Sequence, residues 1–296
     1  MNYISVAETA KKWGLTGRAV RKYCADGKIQ GAFLTGKTWN VPEGAFPPER
    51  KNAKKFSGNA LLNVLKEEKD GKLKGGIYHK LQINLTYNSN HIEGSRLTED
   101  QTRRIFETNT IGADEDSVNV DDIVETTNHF RCIDYVIDNA KKTLTENMIK
   151  TLHLMLKSGT SDSAKAWFKV GDYKLRPNEV GGEATCPPAE VGKEMKALLD
   201  EYNGKVKKKL GDIIGFHRRF EKIHPFQDGN GRVGRLIMFK ECLANNITPF
   251  IIEEEHRWFY YRGLKEWDRE KGFLTETCLS AQDKFREWLE YFAIKE

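Results

Sequence analysis

Helical spacing of hydrophobic residues dominates the sequence from residue 59 to its end. Apolar positions recur three and four residues apart in runs at 60–65, 77–89, 98–108, 120–140, 145–156, 188–206, 211–223, 232–245, 254–271 and 275–294. This spacing gathers apolar side chains on one helix face, so the runs predict amphipathic helices. The pattern therefore predicts a mainly α fold.

Strand patterns occur at only two places in the sequence. Apolar and polar residues alternate within 29–41, on both sides of Gly36, which predicts a small hairpin with its turn at that glycine. Residues 168–182 interrupt the helical pattern with glycine-rich ends and Pro177, so a second hairpin is predicted there.

The N-terminal segment predicts two short helices joined by a turn at Gly14. Ser5 is followed three residues later by Glu8, the spacing of a capping box. Residues 1–55 carry a net charge of +7, although the whole chain carries only +5. Two helices, a tight turn and concentrated positive charge indicate a helix-turn-helix unit for nucleic acid.

Composition excludes several classes of protein. Hydrophobic residues make up 39% of the chain and charged residues 31%. No apolar run approaches the roughly 20 residues that a membrane-spanning helix needs, so no membrane partner is expected. Neither a secretory signal nor a CxxC pair is visible, and five scattered cysteines favour free thiols. We therefore expect a cytoplasmic protein.

Ser5–Pro42 resembles the small winged helix-turn-helix modules of the excisionase and MerR type. The resemblance implies DNA binding through the second helix, with Arg18, Arg21 and Lys22, and a docking module is the alternative. One such unit covers little surface, so useful affinity is expected to need a homodimer. The predicted domains are a winged helix-turn-helix at 1–45, a linker at 46–58, N-terminal helices at 59–97, a catalytic core at 98–250 and C-terminal helices at 251–296.

Residues 224–235, read as HPFQDGNGRVGR, combine a glycine-rich turn with the start of a helix. Free N–H groups and the helix dipole at such a place bind phosphate. Arg232 and Arg235 are three residues apart and share one helix face, where their two positive charges favour binding of an anion. Asp228 is a hard ligand for Mg²⁺, and His224 is a candidate general base.

The same stretch resembles the signature of the Fic family at every defining position. The resemblance implies a helical Fic fold with a small β-hairpin flap, and transfer of AMP from ATP to a hydroxyl of a target protein. By position it implies these roles: His224 as base, Asp228 as Mg²⁺ ligand, Gly229, Asn230 and Gly231 as anion hole, and Arg232 and Arg235 as phosphate clamps. The glycine at position 231 argues for nucleotidyl transfer, because phosphorylating relatives of the Doc type typically have lysine there.

Two further segments resemble substrate-binding parts of that family. The hairpin resembles the Fic flap, which pins the target by strand addition, with Lys174 where arginine is common. The flap residues implied are Val180, Gly181, Gly182 and Glu183. Tyr260 and Tyr261 resemble a tyrosine pair that lines the adenine pocket of the family. Asp268 falls where relatives often have an asparagine that contacts the adenine. Packing in the core is the alternative for the tyrosines.

Ser89 to Gly94 resembles the Fic inhibitory motif [S/T]xxxE[G/N]. Ser89 and Glu93 are four residues apart, on one helical face. The resemblance implies that Glu93 pairs with Arg235 and keeps it from the γ-phosphate of ATP. A surface ion pair of little consequence is the alternative.

The sequence thus predicts an adenylyltransferase that uses ATP and Mg²⁺, is autoinhibited by Glu93 and modifies a serine, threonine or tyrosine hydroxyl. One alternative is a de-AMPylase, in which Glu93 aligns a water that removes AMP. The other is a transcription regulator that senses nucleotide, although a sensor has no need of a base such as His224.

Overall fold

The protein, described by a computed structural model, is defined over residues 2–36, 38–48, 58–112 and 117–294. It is mainly helical, as predicted. Two compact units are present: Met1–Lys55 together with Trp258–Leu279, and Phe56–Arg257 together with Ser280–Glu296. The predicted C-terminal segment 251–296 therefore contributes residues to both units.

The first unit begins with two short helices and three short strands. Its elements are β1 (Tyr3–Ser5), α1 (Val6–Trp13), α2 (Gly17–Ala25), β2 (Phe33–Thr35) and β3 (Thr38–Pro42). The strands form an antiparallel sheet of order β1-β3-β2. Ser5 and Glu8 form the predicted capping box, and Gly14 ends α1 with a φ of 66°. The strand β1 was not predicted, because three residues give too little alternation to detect.

A distant glutamate holds the start of α2. The backbone N–H and the hydroxyl of Thr16, which caps α2, each donate to the Glu276 carboxylate at 2.5 Å. An anionic partner at this position complements the positive end of the helix dipole. Residues from the C-terminal part of the chain thus complete this unit.

The second unit is a helical body with one tiny sheet. Its elements are α3 (Gly58–Asp70), α4 (Ile77–Ile92), α5 (Glu99–Thr108), α6 (Val120–Asp138), α7 (Glu146–Lys157), β4 (Glu179–Val180), β5 (Glu183–Ala184), α8 (Pro188–Gly204), α9 (Leu210–Ile223) and α10 (Asn230–Ala244). The last two helices of the chain are α11 (Arg257–Lys265) and α12 (Gly272–Tyr291).

Helix α10 is the central element of the second unit. Every residue from Asn230 to Leu243 is buried, Arg232 of the first turn and Arg235 of the second included. Its largest contacts are with α9, and α3, α4, α6 and α7 also pack against it. The polar first turn of α10 is therefore enclosed by protein, which makes its charges strong and their partners important.

Two elements depart most from their predicted bounds. The helix predicted over 254–271 is a short 3₁₀ turn, Glu254–His256, followed by α11, which already ends at Lys265. A Cβ at Gly263 would lie 2.7 Å from the backbone of Leu274, so the chain turns back and crosses itself closely there. The hairpin predicted over 168–182 is confined to residues 179–184, since the residues before it form turns.

Three further predictions concern the linker, the cysteines and membrane-spanning helices. Most of the predicted linker 46–58 lies outside the described residues, which resume at residue 58. All five cysteines are free, as predicted. In the described part of the chain, no helix combines the length and apolar character required to cross a membrane.

Candidate active site

The glycine-rich loop joins α9 to α10 in a fixed conformation. His224 ends α9 in the left-handed region, with a φ of 51°, and Gly229 precedes α10 with a φ of 80°. The Asn230 side chain closes the loop, because its Oδ1 accepts from the Phe226 N–H at 2.8 Å and its Nδ2 donates to the Phe226 carbonyl at 2.9 Å. The phosphate-binding role predicted for Asn230 is thus left to its backbone N–H, since the side chain is engaged.

Phe226 anchors the loop from below. Its side chain is fully buried and stacks on the His153 ring, with the ring centroids 4.0 Å apart. His153 in turn accepts a hydrogen bond from the Gly171 N–H at 2.9 Å. The loop therefore rests on α7, and a Cβ at Gly229 would also contact the Leu156 and His153 side chains of that helix.

Arg232 lies in a buried network of charges. Its guanidinium pairs with Glu125 of α6 and, at 3.1 Å, with Asp228. Lys157, at the end of α7, pairs with the same Glu125 and donates to Asp228 at 2.7 Å. Lys157 also pairs with Asp162 at 3.2 Å, so three acidic and two basic side chains surround the start of α10, and each charge has an opposite partner. Sequence reasoning missed Glu125 and Lys157.

Asp228 fits the predicted role of a magnesium ligand. Burial alone would raise the pKa of this carboxyl, but Arg232 and Lys157 hold it well below its usual range, so the group is anionic at neutral pH. No cluster of three or more metal-ligating side chains occurs among the described residues. One carboxylate supplemented by substrate phosphates is the usual way in which proteins hold Mg²⁺, so the donor set is compatible with it.

His224 has the protonation state that a general base needs. Its side chain is 16% exposed. Burial, followed by the charge of Lys174, lowers the pKa of His224 to about 4. The imidazole is therefore neutral at pH 7 and able to accept a proton.

Glu221 is a further acid at the site that the sequence analysis did not single out. Its carboxylate lies 3.8 Å from His224 Nδ1 and 4.0 Å from His217 Nε2. Burial, followed by the Glu93 charge, raises the pKa of Glu221 to about 8, so the group is mostly protonated at neutral pH. The spacing of three and four residues along α9 was a detectable signal for this cluster.

Glu93 and Ser89 both bind the second arginine of the loop. Arg235 donates to Glu93 Oε1 at 2.7 Å, to the Ser89 hydroxyl at 3.0 Å and to the Ser89 carbonyl at 2.8 Å. Glu93 caps the C-terminus of α4. A Cβ at Gly231 would overlap the Glu93 carboxylate, so a glycine is required there for this contact. The ion pair that the resemblance implied is present.

The flap residues lie on a short exposed hairpin. Val180 pairs with Glu183 across the turn formed by Gly181 and Gly182, and the Val180 side chain is 47% exposed. The strands β4 and β5 form a two-stranded sheet, and all four of their residues are exposed. The outer edge of such a strand can pair with another chain.

The predicted adenine-pocket residues belong to the other unit. Tyr260 is 1% exposed, whereas Tyr261 is 39% exposed and its ring centroid lies 5.6 Å from that of Tyr260. Asp268 is exposed. Burial of Tyr260 agrees with core packing, and an adenine-binding role for these three residues stays a prediction.

Comparison with protein families matches residues 143–242 to the Fic/DOC family. A protein adenylyltransferase Fic from Drosophila willistoni is 27% identical over 187 residues, which are 60% of this chain and 35% of that protein. One from Nematostella vectensis is 25% identical over 183 residues, 61% of this chain and 42% of that protein. The chain thus spans less than half the length of these curated relatives.

Solved structures show the same fold. A Fic domain containing signaling protein from Bacteroides thetaiotaomicron has a TM-score of 0.59 and 25% identity, covering 78% of this chain and 90% of that one. A Fic family protein from Desulfovibrio desulfuricans has a TM-score of 0.60 and 23% identity, covering 83% and 77%. The segment matched to the family contains the glycine-rich loop, α7, the short hairpin, α8, α9 and most of α10.

Proposed function

We propose that this protein, which carries a Fic/DOC family domain at residues 143–242, transfers AMP from ATP to a hydroxyl side chain of another protein. One observation carries the proposal above all: a neutral imidazole, His224, lies four residues from an anionic Asp228 and beside a helix N-terminus bearing two arginines. A base, a metal ligand and a phosphate cradle are the parts that nucleotidyl transfer needs.

The reaction follows from the positions of these groups. The target hydroxyl oxygen attacks the α-phosphorus, the bond from that phosphorus to the bridging β-phosphate oxygen breaks, and pyrophosphate leaves. His224 accepts the hydroxyl proton through its unprotonated ring nitrogen. Arg235 and the first-turn N–H groups of α10 stabilise the charge of the phosphates. Mg²⁺ held by Asp228 would supply further neutralisation of the departing pyrophosphate.

We further propose that Glu93 inhibits the enzyme from within the same chain. Arg235 is 3% exposed, and its guanidinium donates to Glu93 and Ser89. The guanidinium is therefore not available to the γ-phosphate while these contacts last. The Glu93 carboxylate also lies directly over Gly231, where a phosphate would approach the loop. Glu93 therefore opposes productive ATP binding in two ways. Its carboxylate occupies the space over Gly231, and its negative charge pairs with Arg235.

The position of Glu93 also suits the reverse activity, removal of AMP from a modified target. A carboxylate inside the site, 28% exposed at its side chain, can orient a water against the phosphodiester. In this alternative, loss of Glu93 abolishes removal of AMP instead of accelerating its addition.

Transfer of the α-phosphate tests the proposed activity. Incubation with Mg²⁺ and ATP labelled at the α-phosphate is expected to label the protein itself or a lysate target, with a mass increase of one AMP. ATP labelled at the γ-phosphate is the matched control and is expected to leave no label. Label from the γ-phosphate alone would mean phosphotransfer, and no adduct with either label would favour a nucleotide-sensing regulator.

For the N-terminal module we propose DNA binding, supported by its two helices, its three-stranded sheet and its charge. Arg18, Arg21 and Lys22 on α2 are exposed. Because Glu276 already covers the N-terminus of α2, these three side chains are the cations of α2 available to phosphates. We propose a homodimer as the DNA-binding form and a cytoplasmic location.

Salt dependence tests the DNA-binding proposal. The double substitution Arg18→Ala and Arg21→Ala is expected to weaken binding to a mixed-sequence duplex and to reduce the slope of log affinity against log salt by about 2. The matched control replaces two exposed lysines of the other unit, Lys193→Ala and Lys207→Ala, with the same loss of charge. Equal weakening in the control would show non-specific attraction and contradict the proposal.

A further inference from the structure

A buried lysine lies at the base of the flap, and no part of the mechanism above uses it. Lys174 is 2% exposed. In the described ranges no carboxylate pairs with its ammonium group. Nζ instead donates to three neutral oxygens: Asn178 Oδ1 at 2.7 Å, Thr185 Oγ1 at 2.6 Å and the Ile223 carbonyl at 3.3 Å. Three N–H donors thus meet three acceptors, and the geometry suits lysine better than the planar fork of arginine.

These three oxygens come from different parts of the site. Asn178 and Thr185 flank the flap strands on either side, whereas Ile223 is the last residue of α9, next to His224. The Lys174 N–H also donates to the Pro225 carbonyl at 2.9 Å, and Asn178 Nδ2 donates to the Phe226 carbonyl at 3.1 Å. The start of the flap is therefore hydrogen-bonded to residues on both sides of His224.

The charge of Lys174 acts on His224 as well. Burial lowers the pKa of Lys174 to about 8, so it is mostly charged at pH 7, and the nearby Cys186 opposes this shift only weakly. For His224, burial and then Lys174 lower the pKa, while a hydrogen bond to the Glu221 backbone and then the charges of Glu93 of α4 and Asp228 of the loop raise it. Lys174 is thus the cation that counters the charges of Glu93 and Asp228 at the imidazole.

We propose that Lys174 is a positioning residue, which fixes the flap to residues on both sides of His224 and places a buried cation beside the imidazole. This inference rests on the proposed function for its meaning, because a base matters only if a proton must be taken. A charged group without a carboxylate partner is costly to bury. The benefit here is that its field remains directed at His224 and is not cancelled by a nearby anion.

Titration of His224 by NMR tests the electrostatic part without any enzyme assay. The full chain is labelled at histidine, and the His224 signal is assigned from its absence in His224→Ala. In Lys174→Gln the pKa of His224 is expected to rise from about 4 toward the ordinary value of 6.5. Lys174→Arg retains the charge and is expected to keep the pKa low. An unchanged pKa in Lys174→Gln would overturn the electrostatic role.

Asn178→Asp provides a second variant that leaves Lys174 in place. It sets a carboxylate against Nζ in nearly the same shape, so it is expected to raise the pKa of His224 as Lys174→Gln does. Thr185→Val is the matched control, because it removes one acceptor of Nζ but no charge. It is expected to leave the pKa unchanged. A rise as large in Thr185→Val as in Asn178→Asp would show that packing, not charge, controls the imidazole.

Hydrogen exchange tests the anchoring part. Amide exchange of residues 178–185 is expected to accelerate at least about tenfold in Lys174→Gln and to a smaller extent in Thr185→Val. Helix α6, to which Lys174 makes no hydrogen bond in the described residues, is expected to keep its rates. Unchanged flap exchange in Lys174→Gln would exclude the anchor. If AMP transfer is measurable, the acid limb of its pH profile is expected to move upward in Lys174→Gln. A protein that transfers no AMP at any pH contradicts the proposed function alone, since the NMR and exchange results do not depend on it.

Discussion

Replacement of Glu93 by glycine is expected to raise the rate of AMP transfer by about 10- to 100-fold. The Arg235–Glu93 hydrogen bond is charge-assisted and nearly buried, at 2.7 Å, and such bonds contribute about 1.5–3 kcal/mol. ATP must displace this contact before Arg235 reaches its phosphates, so its removal stabilises the productive complex by a similar free energy, at about 1.4 kcal/mol per tenfold change. Incorporation of α-labelled phosphate measures the effect.

The control for this variant is Glu99→Gly, at a glutamate that pairs with Arg103 on an exposed face of α5. It removes the same side chain from the same unit and is expected to leave the rate within about twofold. Isothermal titration with ATP adds a second measurement, in which Glu93→Gly is expected to bind ATP more tightly. Equal incorporation in wild type and Glu93→Gly would contradict inhibition by this residue.

Replacement of His224 by alanine is expected to lower AMP transfer by about 10²- to 10⁴-fold, the usual contribution of a positioned general base. The variant is best made in the Glu93→Gly background, where the starting rate is highest. Removal of the imidazole leaves Asp228, Arg232 and Arg235 in place, because none of these side chains hydrogen-bonds to it. ATP binding is therefore expected to persist while the chemical step is lost.

The matched control for the base is His256→Ala, at a partly exposed histidine paired with Glu253. It is expected to retain the transfer rate of its parent. A loss of ATP affinity in His224→Ala as large as its loss of rate would mean that the imidazole acts in binding, and the assignment as base would then be wrong.

Much of the candidate site could be predicted from the sequence, because most of its residues lie close together along the chain. His224, Asp228, Arg232 and Arg235 follow one another within a single loop and helix turn, so spacing alone brings them together. The break at Pro225 and the glycine at 229 also located the ends of the flanking helices to within two residues.

Contacts across long stretches of sequence were the part that could not be predicted. Glu125 lies 107 residues before Arg232, and Lys157 lies 71 residues before Asp228, so no periodicity relates them. Thr16 and Glu276 are 260 residues apart. Helix packing decides such pairs, and a single sequence does not record which helix faces meet. Lys174 was noticed only as a departure from arginine, while its burial without a counter-ion became visible from the fold.

The close approach of Gly231 to the Glu93 carboxylate restricts how this protein can change by mutation. Any side chain at position 231 would collide with the carboxylate, so a single substitution there would both evict the glutamate and narrow the nucleotide cradle. We therefore expect a variant that retains the Glu93–Arg235 contact to retain glycine at position 231. Random mutagenesis followed by selection for increased AMP transfer is therefore expected to recover changes at Glu93 far more often than changes at Gly231.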